Sequence, residues 1–472
     1  MTRRCAGTAT ALAAAATLLA PAAAQAHGLV GRQDLPIPRL LFVWAAAAVL
    51  VASFVGLAVL WPEPRLETSQ RERRLLGLPR ALGPVCGAIG IAIYALVVYA
   101  GWAGTQTPTA NLAPTVAYVL FWVGLAFASV LFGDVFRAFN PWRAAGRAIG
   151  WVAHRVGGDR LPEPLAYPTR LGRWPAALGL LVFAWFELVY SGAEDPSAVA
   201  VAAGLYAGAQ LLGMSLYGVE AWSRNGDAFG VYFGLLARLG PIDWRGRELW
   251  LRPVLSGAAG ITPVGGTVAV LVVLIGTTSF DGFSQGPTWN ALAPELQGVL
   301  VDLGLSQPVA LEVTFTLGLL VVLGVVAGLY RLGTLGMHSV DARFGAPELG
   351  RRFAHSLLPI ALAYVVAHYF SYLAIQGQAI GYLASDPLGE GSDLLGTATA
   401  TIDYGFVSAN TIWYVQVGAL IAGHVAGLVL AHDRALTVYQ DTRSATRSQY
   451  WMLTVMVAFT CLGLWLLSAQ AA

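Results

Sequence analysis

Long apolar stretches recur along this chain, and each has about the length that a helix needs to cross a lipid bilayer, roughly 20 residues. Only 11% of the residues are charged and the mean hydropathy is +0.63, whereas about a quarter are charged in a typical soluble domain. The sequence therefore predicts an all-α fold, a polytopic membrane helix bundle of about ten transmembrane helices. Its predicted spans are 40–61, 84–102, 115–133, 175–191, 198–218, 263–280, 309–330, 356–376, 411–432 and 449–468.

The N-terminus has the pattern of a secretory signal peptide over residues 1–26. Arg3 and Arg4 precede an apolar run, and the small-residue ending Ala24-Gln25-Ala26 resembles a cleavage site. Cleavage there would leave residues 27–472 as the membrane domain, with His27 first. A terminal histidine offers its amine and its ring nitrogen together, so His27 is a candidate copper ligand. The simpler alternative is that this histidine merely follows the cleavage site.

The arginines predict the orientation of the bundle. Loops 62–83, 134–174, 219–262, 331–355 and 433–448 hold 24 arginines, whereas the opposite side holds only Arg32 and Arg39. Because cytoplasmic loops retain positive charge, these five loops are predicted to be cytoplasmic. Both ends of the mature chain would then lie outside.

Charge and cysteine content exclude several functions. The mature chain would carry 26 arginines, 26 acidic residues and no lysine, so there is no basic excess that would indicate nucleic-acid binding. Cys86 and Cys461 lie in apolar segments and predict neither a disulfide framework nor a cysteine metal site. The outer segments are acidic, which would attract cations, although exclusion of arginine from translocated loops explains the same pattern.

Four loop segments are distinctive. GDVFRAFNPWRAAGRAIGWVAHRVGG and RNGDAFGVYFGLLARLGPIDW combine arginine with tryptophan, and we expect them to lie on the inner membrane surface. The long loops 280–308 and 377–410 are expected to cap the outer mouth of the bundle. Within the first of these, Asp281-Gly282 is typical of a turn, and the alternative is that Asp281 and Ser284 line the outer mouth.

Several predicted spans carry ionisable or amide side chains, which are costly in hydrocarbon, by about 2.5–3.5 kcal/mol for a charged group, and therefore need partners or water. With a rise of about 1.5 Å per residue, Glu187 and His368 would lie at one depth, with Gln210 and His424 about one helical turn away. The remaining members of the set are Gln416 and Tyr372, the latter on one helical stripe with His368.

This polar set has four interpretations. His368, His424 and Glu187 could bind a divalent metal, since two imidazoles and a carboxylate suit zinc, copper or iron. Two histidines could instead bind haem, or glutamate and histidine could relay protons. Under the metal hypothesis, Gln416, Tyr372 and Gln210 would orient the ligands or a substrate. The fourth interpretation is that these side chains only join helices by hydrogen bonds.

The stretches AHGLVGRQDLPIPRLLFVWAAAAVLVASFVGLAVLWPEPRLE, GDAFGVYFGLLARLGP and NTIWYVQVGALIAGHVAGLVLAHDRAL resemble actinobacterial polytopic membrane proteins commonly labelled fenitrothion hydrolase. The resemblance extends over nearly the whole chain. It implies a multi-pass protein of the bacterial plasma membrane that hydrolyses a small lipophilic aryl phosphotriester. A metal held by His368, His424 and Glu187 would polarise the phosphoryl oxygen and supply hydroxide.

Transport is the competing class of function. A ten-helix bundle with buried polar groups and an acidic outer face could move protons or a metal cation such as copper, with the same side chains as transient ligands. A scaffolding protein is a third possibility. The substrate, the oligomeric state and any partner subunit stay open.

Overall fold

The computed structural model describes residues 39–68, 71–157, 162–262, 264–439 and 441–470. The predicted signal peptide and His27 lie outside this part of the chain. The described residues are mostly helical, and a small sheet is the exception. In chain order the elements are α1 Arg39–Leu60, β1 Arg73–Gly77, α2 Leu82–Ala103, α3 Leu112–Phe132, α4 Val135–Phe139, α5 Pro141–Gly157, α6 Trp174–Leu188, α7 Pro196–Tyr217, α8 Val219–Asn225, α9 Ala228–Ala237, β2 Ile242–Arg245, β3 Glu248–Leu251, α10 Ser256–Ala259, α11 Thr267–Ser284, α12 Pro287–Asp302, α13 Gln307–Val340, α14 Ala346–Phe353, α15 Leu358–Gln376, α16 Ile380–Leu383, α17 Ala409–Val438 and α18 Thr442–Gln470.

Among the described residues, seven helical segments are long and apolar enough to cross a membrane. These are α2, α3, α7, α11, α13, the run from α14 to α16, and α17. Two more predicted spans, α1 and α6, carry the shorter apolar stretches Trp44–Leu60 and Trp174–Leu188. The prediction of a helical membrane protein is therefore confirmed, while the count of ten spans stays a prediction.

The loops separate into two faces. Among the described residues, the arginine-rich face contains 61–68, 71–81, 133–157, 162–173, 218–262, 264–266 and 341–357, and the acidic face contains 104–111, 189–195, 285–306 and 377–408. Hydrogen bonds join distant loops within a face: Arg173 N–H donates to the carbonyl of Gly265 at 2.7 Å on the first, and Thr105 N–H donates to the carbonyl of Leu388 at 2.8 Å on the second. This separation agrees with the predicted topology, and the orientation in the membrane stays a prediction.

A three-stranded antiparallel sheet lies on the arginine-rich face, in the order β1-β3-β2. Arg74 pairs with Glu248 at 3.0 Å and Arg245 pairs with Glu72 at 2.6 Å. The sequence analysis predicted no strands. These strands have only four or five residues, which is too short for an alternating pattern to stand out from a loop.

One of the two expected surface segments is instead buried in the bundle. α5 has exposed apolar side chains, including Ile149 and Val156, as an interfacial helix should. In α9, however, Phe229, Tyr232 and Phe233 are at most 4% exposed. Its sequence, AFGVYFGLLA, permits this burial because it contains no charged residue that would have to be desolvated.

The segment 280–308, which was predicted as a long outer loop, is helical over most of its length. α11 continues to Ser284, and α12 follows after a short break. The ring of Trp289 packs edge-on against Phe280 at 5.5 Å and Phe315 at 5.4 Å between centroids. Gly318 permits this contact, since a β-carbon there would lie 2.3 Å from the indole. The segment 280–308 therefore packs on α13 and leaves Asp281 inside a helix.

The AHDRAL segment near the C-terminal end of α17 forms hydrogen bonds and an ion pair with the chain that follows α1. The carboxylate of Asp433 accepts hydrogen bonds from Trp61 Nε1 at 3.1 Å and from the backbone N–H of Arg65 at 2.6 Å. His432 Nε2 lies 3.0 Å from the carbonyl of Trp61, and Arg434 pairs with Glu67. The charged residues of this motif therefore have a structural role on the arginine-rich face.

Helices α15 and α17 pack closely because glycines line their interface. A β-carbon at Gly423 would lie 2.3 Å from Ala363 Cβ and 2.7 Å from the carbonyl of Pro359. We expect Gly423→Val to destabilise the protein by about 1–3 kcal/mol, the usual cost of overpacking, measured as a lower Tm in detergent. Gly418→Ala on the same helix is the control, because its β-carbon would meet nothing within 4 Å. Equal Tm values for the two variants would contradict this packing.

Candidate intramembrane polar site

Asp281 is the centre of a buried polar cluster near the acidic end of α11. Its side chain is 1% exposed, and its Oδ2 lies 2.8 Å from His368 Nε2 and 2.9 Å from the hydroxyl of Tyr369, which donates to it. Gln285 Nε2 donates to the other oxygen at 3.2 Å. The expectation of a turn at Asp281 was wrong, because α11 extends past the predicted end at residue 280. We call Glu187, Asp281, His368 and Tyr369 the Asp281 cluster.

The sequence of α11 explains how a carboxylate reaches this depth. The hydroxyls of Thr277, Thr278 and Ser279 each donate to a carbonyl four residues earlier, at 2.6–3.0 Å. These side chains satisfy their own hydrogen bonds within the helix, so they need no partner elsewhere. Asp281, in contrast, forms its hydrogen bonds across a helix interface, with His368 and Tyr369 of α15.

Glu187 of α6 completes the cluster from a third helix. It lies thirteen residues from the start of α6, and Asp281 lies fourteen from the start of α11, so both are about 20 Å from the arginine-rich ends of their helices. Glu187 interacts electrostatically with Asp281, with the hydroxyl of Tyr369, and with Tyr118 and Tyr372. Glu187 and His368 are therefore both linked to Asp281, and their common depth stays a prediction.

The helix beside this cluster has an unusual backbone. Residues Thr115–Gly124 of α3 form a ten-residue π-helix, a conformation that is rare and is frequent at functional sites. It carries Tyr118, whose hydroxyl donates to the carbonyl of Ala193 at 2.5 Å, and Trp122, whose ring lies 4.7 Å from that of Tyr232. Both side chains border the Asp281 cluster.

The arrangement is suited to holding and transferring a proton. Two carboxyl groups within electrostatic range of each other are costly to ionise together in a medium of low dielectric. A neutral imidazole can accept a proton and neutralise one carboxylate, and phenolic hydroxyls can donate and accept in turn. The cluster thus contains the groups that intramembrane proton relays use.

His424 lies in a different environment from His368. Its Nδ1 is 2.7 Å from the carbonyl of Leu420, and its ring centroid is 6.3 Å from that of Tyr364. The side chain is fully buried, and its Nε2 has no hydrogen-bond partner within the part of the chain that the structure describes. The two predicted metal-binding histidines therefore have separate partners.

The remaining predicted residues divide between the site and the surrounding fold. Tyr372 borders the Asp281 cluster, with its ring 6.4 Å from that of Tyr369. Gln416 is buried on the stripe of α17 that carries Leu420 and His424. Gln210 has a partner outside the cluster. Its Oε1 accepts a hydrogen bond from Trp222 Nε1 at 2.8 Å, which connects α7 to α8. That residue has a structural role.

A metal centre gains no support from this geometry. Among the described residues, no three His, Cys, Asp or Glu side chains lie together as a potential ion-binding group. The Nε2 of His368 is engaged by Asp281, and His424 is held elsewhere. The centre formed by His368, His424 and Glu187 stays a prediction, as do haem and the copper site at His27.

A second buried carboxylate, Asp227, was not predicted and lies just before α9. Its oxygens accept hydrogen bonds from Asn140 Nδ2 at 2.7 Å, Trp142 Nε1 at 2.7 Å and the Tyr206 hydroxyl at 2.8 Å. Burial raises the pKa of Asp227, while the hydrogen bonds from Trp142 and Tyr206 oppose the shift. Trp142 is consequently an internal donor and not the membrane anchor that the sequence indicated.

Helix length, apolarity and buried ionisable residues place the chain in the class of polytopic helical membrane proteins with an internal polar site. Comparison with protein-family models, curated proteins and solved structures gives no significant match.

Proposed function

We propose that this protein is a membrane transporter that moves protons across the bilayer by protonation and deprotonation of the Asp281 cluster. The observation that carries the proposal is the contact of one buried carboxylate with an imidazole at 2.8 Å and a phenol at 2.9 Å. Ionisable groups inside a membrane are costly and usually functional. The adjacent π-helix, Thr115–Gly124, supports a functional role for the same region.

Protons fit this site better than a tightly held metal ion. A transition metal would need at least three preorganised donors, whereas the Nε2 of His368 and one oxygen of Asp281 already satisfy each other. A proton needs only one such pair. Metal-cation transport, the sequence-based alternative, would require these groups to separate first.

The proposal can be tested with purified protein in liposomes that contain a pH-sensitive dye. A potassium gradient with valinomycin sets the membrane potential, and proton entry is read as internal acidification. We expect flux that exceeds that of protein-free liposomes and that falls when the potential is removed. Equal flux with and without the protein would contradict the proposal.

Hydrolysis of a lipophilic phosphotriester is a second candidate, favoured by one observation. A carboxylate that holds an imidazole, as Asp281 holds His368, is the arrangement that orients a general base toward water. The hydroxyl of Tyr369 lies on the same carboxylate oxygen. We would measure release of the phenol from a chromogenic aryl phosphotriester in detergent micelles. Turnover that His368→Asn abolishes would favour the hydrolase, and its absence in the folded wild-type protein would remove this candidate.

A further inference from the structure

The two ends of the Asp281 cluster have different surroundings. Toward the acidic face, Glu194 is exposed in the turn between α6 and α7. The ring of Tyr372 lies 6.4 Å from that of Tyr369, which belongs to the cluster. The Tyr118 hydroxyl is fixed to this turn by its hydrogen bond to Ala193. Groups able to bind protons therefore extend from the surface to the cluster.

Toward the arginine-rich face, the cluster is closed by packed aromatic rings. The ring of Trp122 lies 4.7 Å from that of Tyr232 and 4.9 Å from that of Phe183. Phe229 packs against Phe183 at 5.1 Å, and Phe233 is fully buried. Most of these rings belong to α9, the short helix that enters the bundle from this face.

We propose, on the basis of the proposed function, that the Asp281 cluster exchanges protons with the acidic face through Glu194, Tyr118 and Tyr372. In this conformation α9 closes the route to the arginine-rich face.

The two sides differ in the proton donors and acceptors that they contain. Proton transfer needs a continuous series of donors and acceptors, which carboxylates, phenols and intervening water provide. Packed aromatic rings exclude water and supply no such series, as in hydrophobic constrictions that close channels. A transporter must open its two sides in turn, so α9 would have to move before a proton could leave on the arginine-rich side.

Access can be measured with single cysteines in a background whose three native cysteines are replaced by alanine. A membrane-impermeant thiol reagent is applied to one face of oriented vesicles at a time. We expect Tyr372→Cys to react from the acidic face and Phe233→Cys to react from neither face. Glu194→Cys and Arg247→Cys, both at exposed positions, are the positive controls for the two faces.

Protection of Tyr372→Cys from the acidic face, with Glu194→Cys reactive, would overturn the entry route. Rapid labelling of Phe233→Cys from the arginine-rich face would overturn the closure by α9. Because labelling requires no transport, these outcomes are independent of whether the protein moves protons. Gel filtration of each variant separates altered access from unfolding.

The role of Glu194 is tested by proton flux in liposomes. We expect Glu194→Gln to lower the rate of proton entry from the acidic face more than threefold, as a proton-collecting carboxylate requires. Asp195→Asn, at the adjacent exposed position, should leave the rate unchanged. Normal flux in Glu194→Gln would overturn this inference and leave the proposed function intact, whereas an inactive wild-type protein would overturn both.

Discussion

Asp281→Asn is expected to reduce potential-driven proton flux to the level of protein-free liposomes. The substitution keeps the size of the side chain and its ability to accept from the Tyr369 hydroxyl, but it removes the group that binds and releases the proton beside His368. Removing an acid–base group from a proton-transfer step typically costs about 10²–10⁴ in rate. The measurement is the initial rate of internal acidification at a fixed membrane potential.

Asp302→Asn provides the matched control, since Asp302 ends α12 on the acidic face and is exposed. Its flux should equal that of the wild-type protein. Flux that survives in Asp281→Asn would show that the conducting site lies elsewhere.

Asp227→Ala is expected to cause a large loss of stability of the folded protein. It would leave Asn140, Trp142 and Tyr206 without their buried acceptor. Each buried donor left unsatisfied costs about 1–3 kcal/mol, so we expect a loss of about 3–5 kcal/mol in the free energy of unfolding. A fall in Tm in detergent measures this loss. Glu163→Ala, at an exposed position on the same face, should leave Tm unchanged, and an equal Tm for both variants would contradict the assignment.

The same carboxylate predicts a pH dependence of stability. Burial, the largest influence, raises the pKa of Asp227 above its model-peptide value of 3.8 in the folded state. A raised folded pKa means that the folded protein binds the proton more tightly than the unfolded chain. The contribution of Asp227 to stability is therefore greatest below the unfolded-state pKa of 3.8, and it declines as pH rises from there through the folded pKa. We expect this part of the pH dependence of Tm to be absent in Asp227→Asn.

The sequence predicts those features of the structure that each segment of the chain specifies by its own composition. A helix that crosses a bilayer must be long and apolar by itself, because lipid offers its backbone no hydrogen bonds. This is why the predicted spans 84–102 and 198–218 agree with α2 and α7 to within a few residues. The close packing at Gly423 and Gly427 is also local in origin, since a missing side chain permits close approach wherever a neighbouring helix lies.

The partners of the buried polar residues were not predictable in the same way. His368 was correctly identified as an unusual residue within a span, but its partner on α11 was assigned to a turn because the apolar pattern weakens before that helix ends. Likewise, α9 has the composition of either a surface segment or a buried one. Only the packing of the bundle distinguishes the two, because it supplies the aromatic rings that surround α9.

The amino-acid sequence was sufficient to predict a helical membrane protein and the positions of most of its helices, because bilayer thickness and backbone hydrogen bonding act on each segment separately. The packing of the helices determines that Asp281 contacts His368, that His424 has other partners, and that α9 is buried among aromatic rings. These relations depend on how helices distant in sequence are rotated and placed against one another, and the hydrophobicity of a single segment carries no information about that.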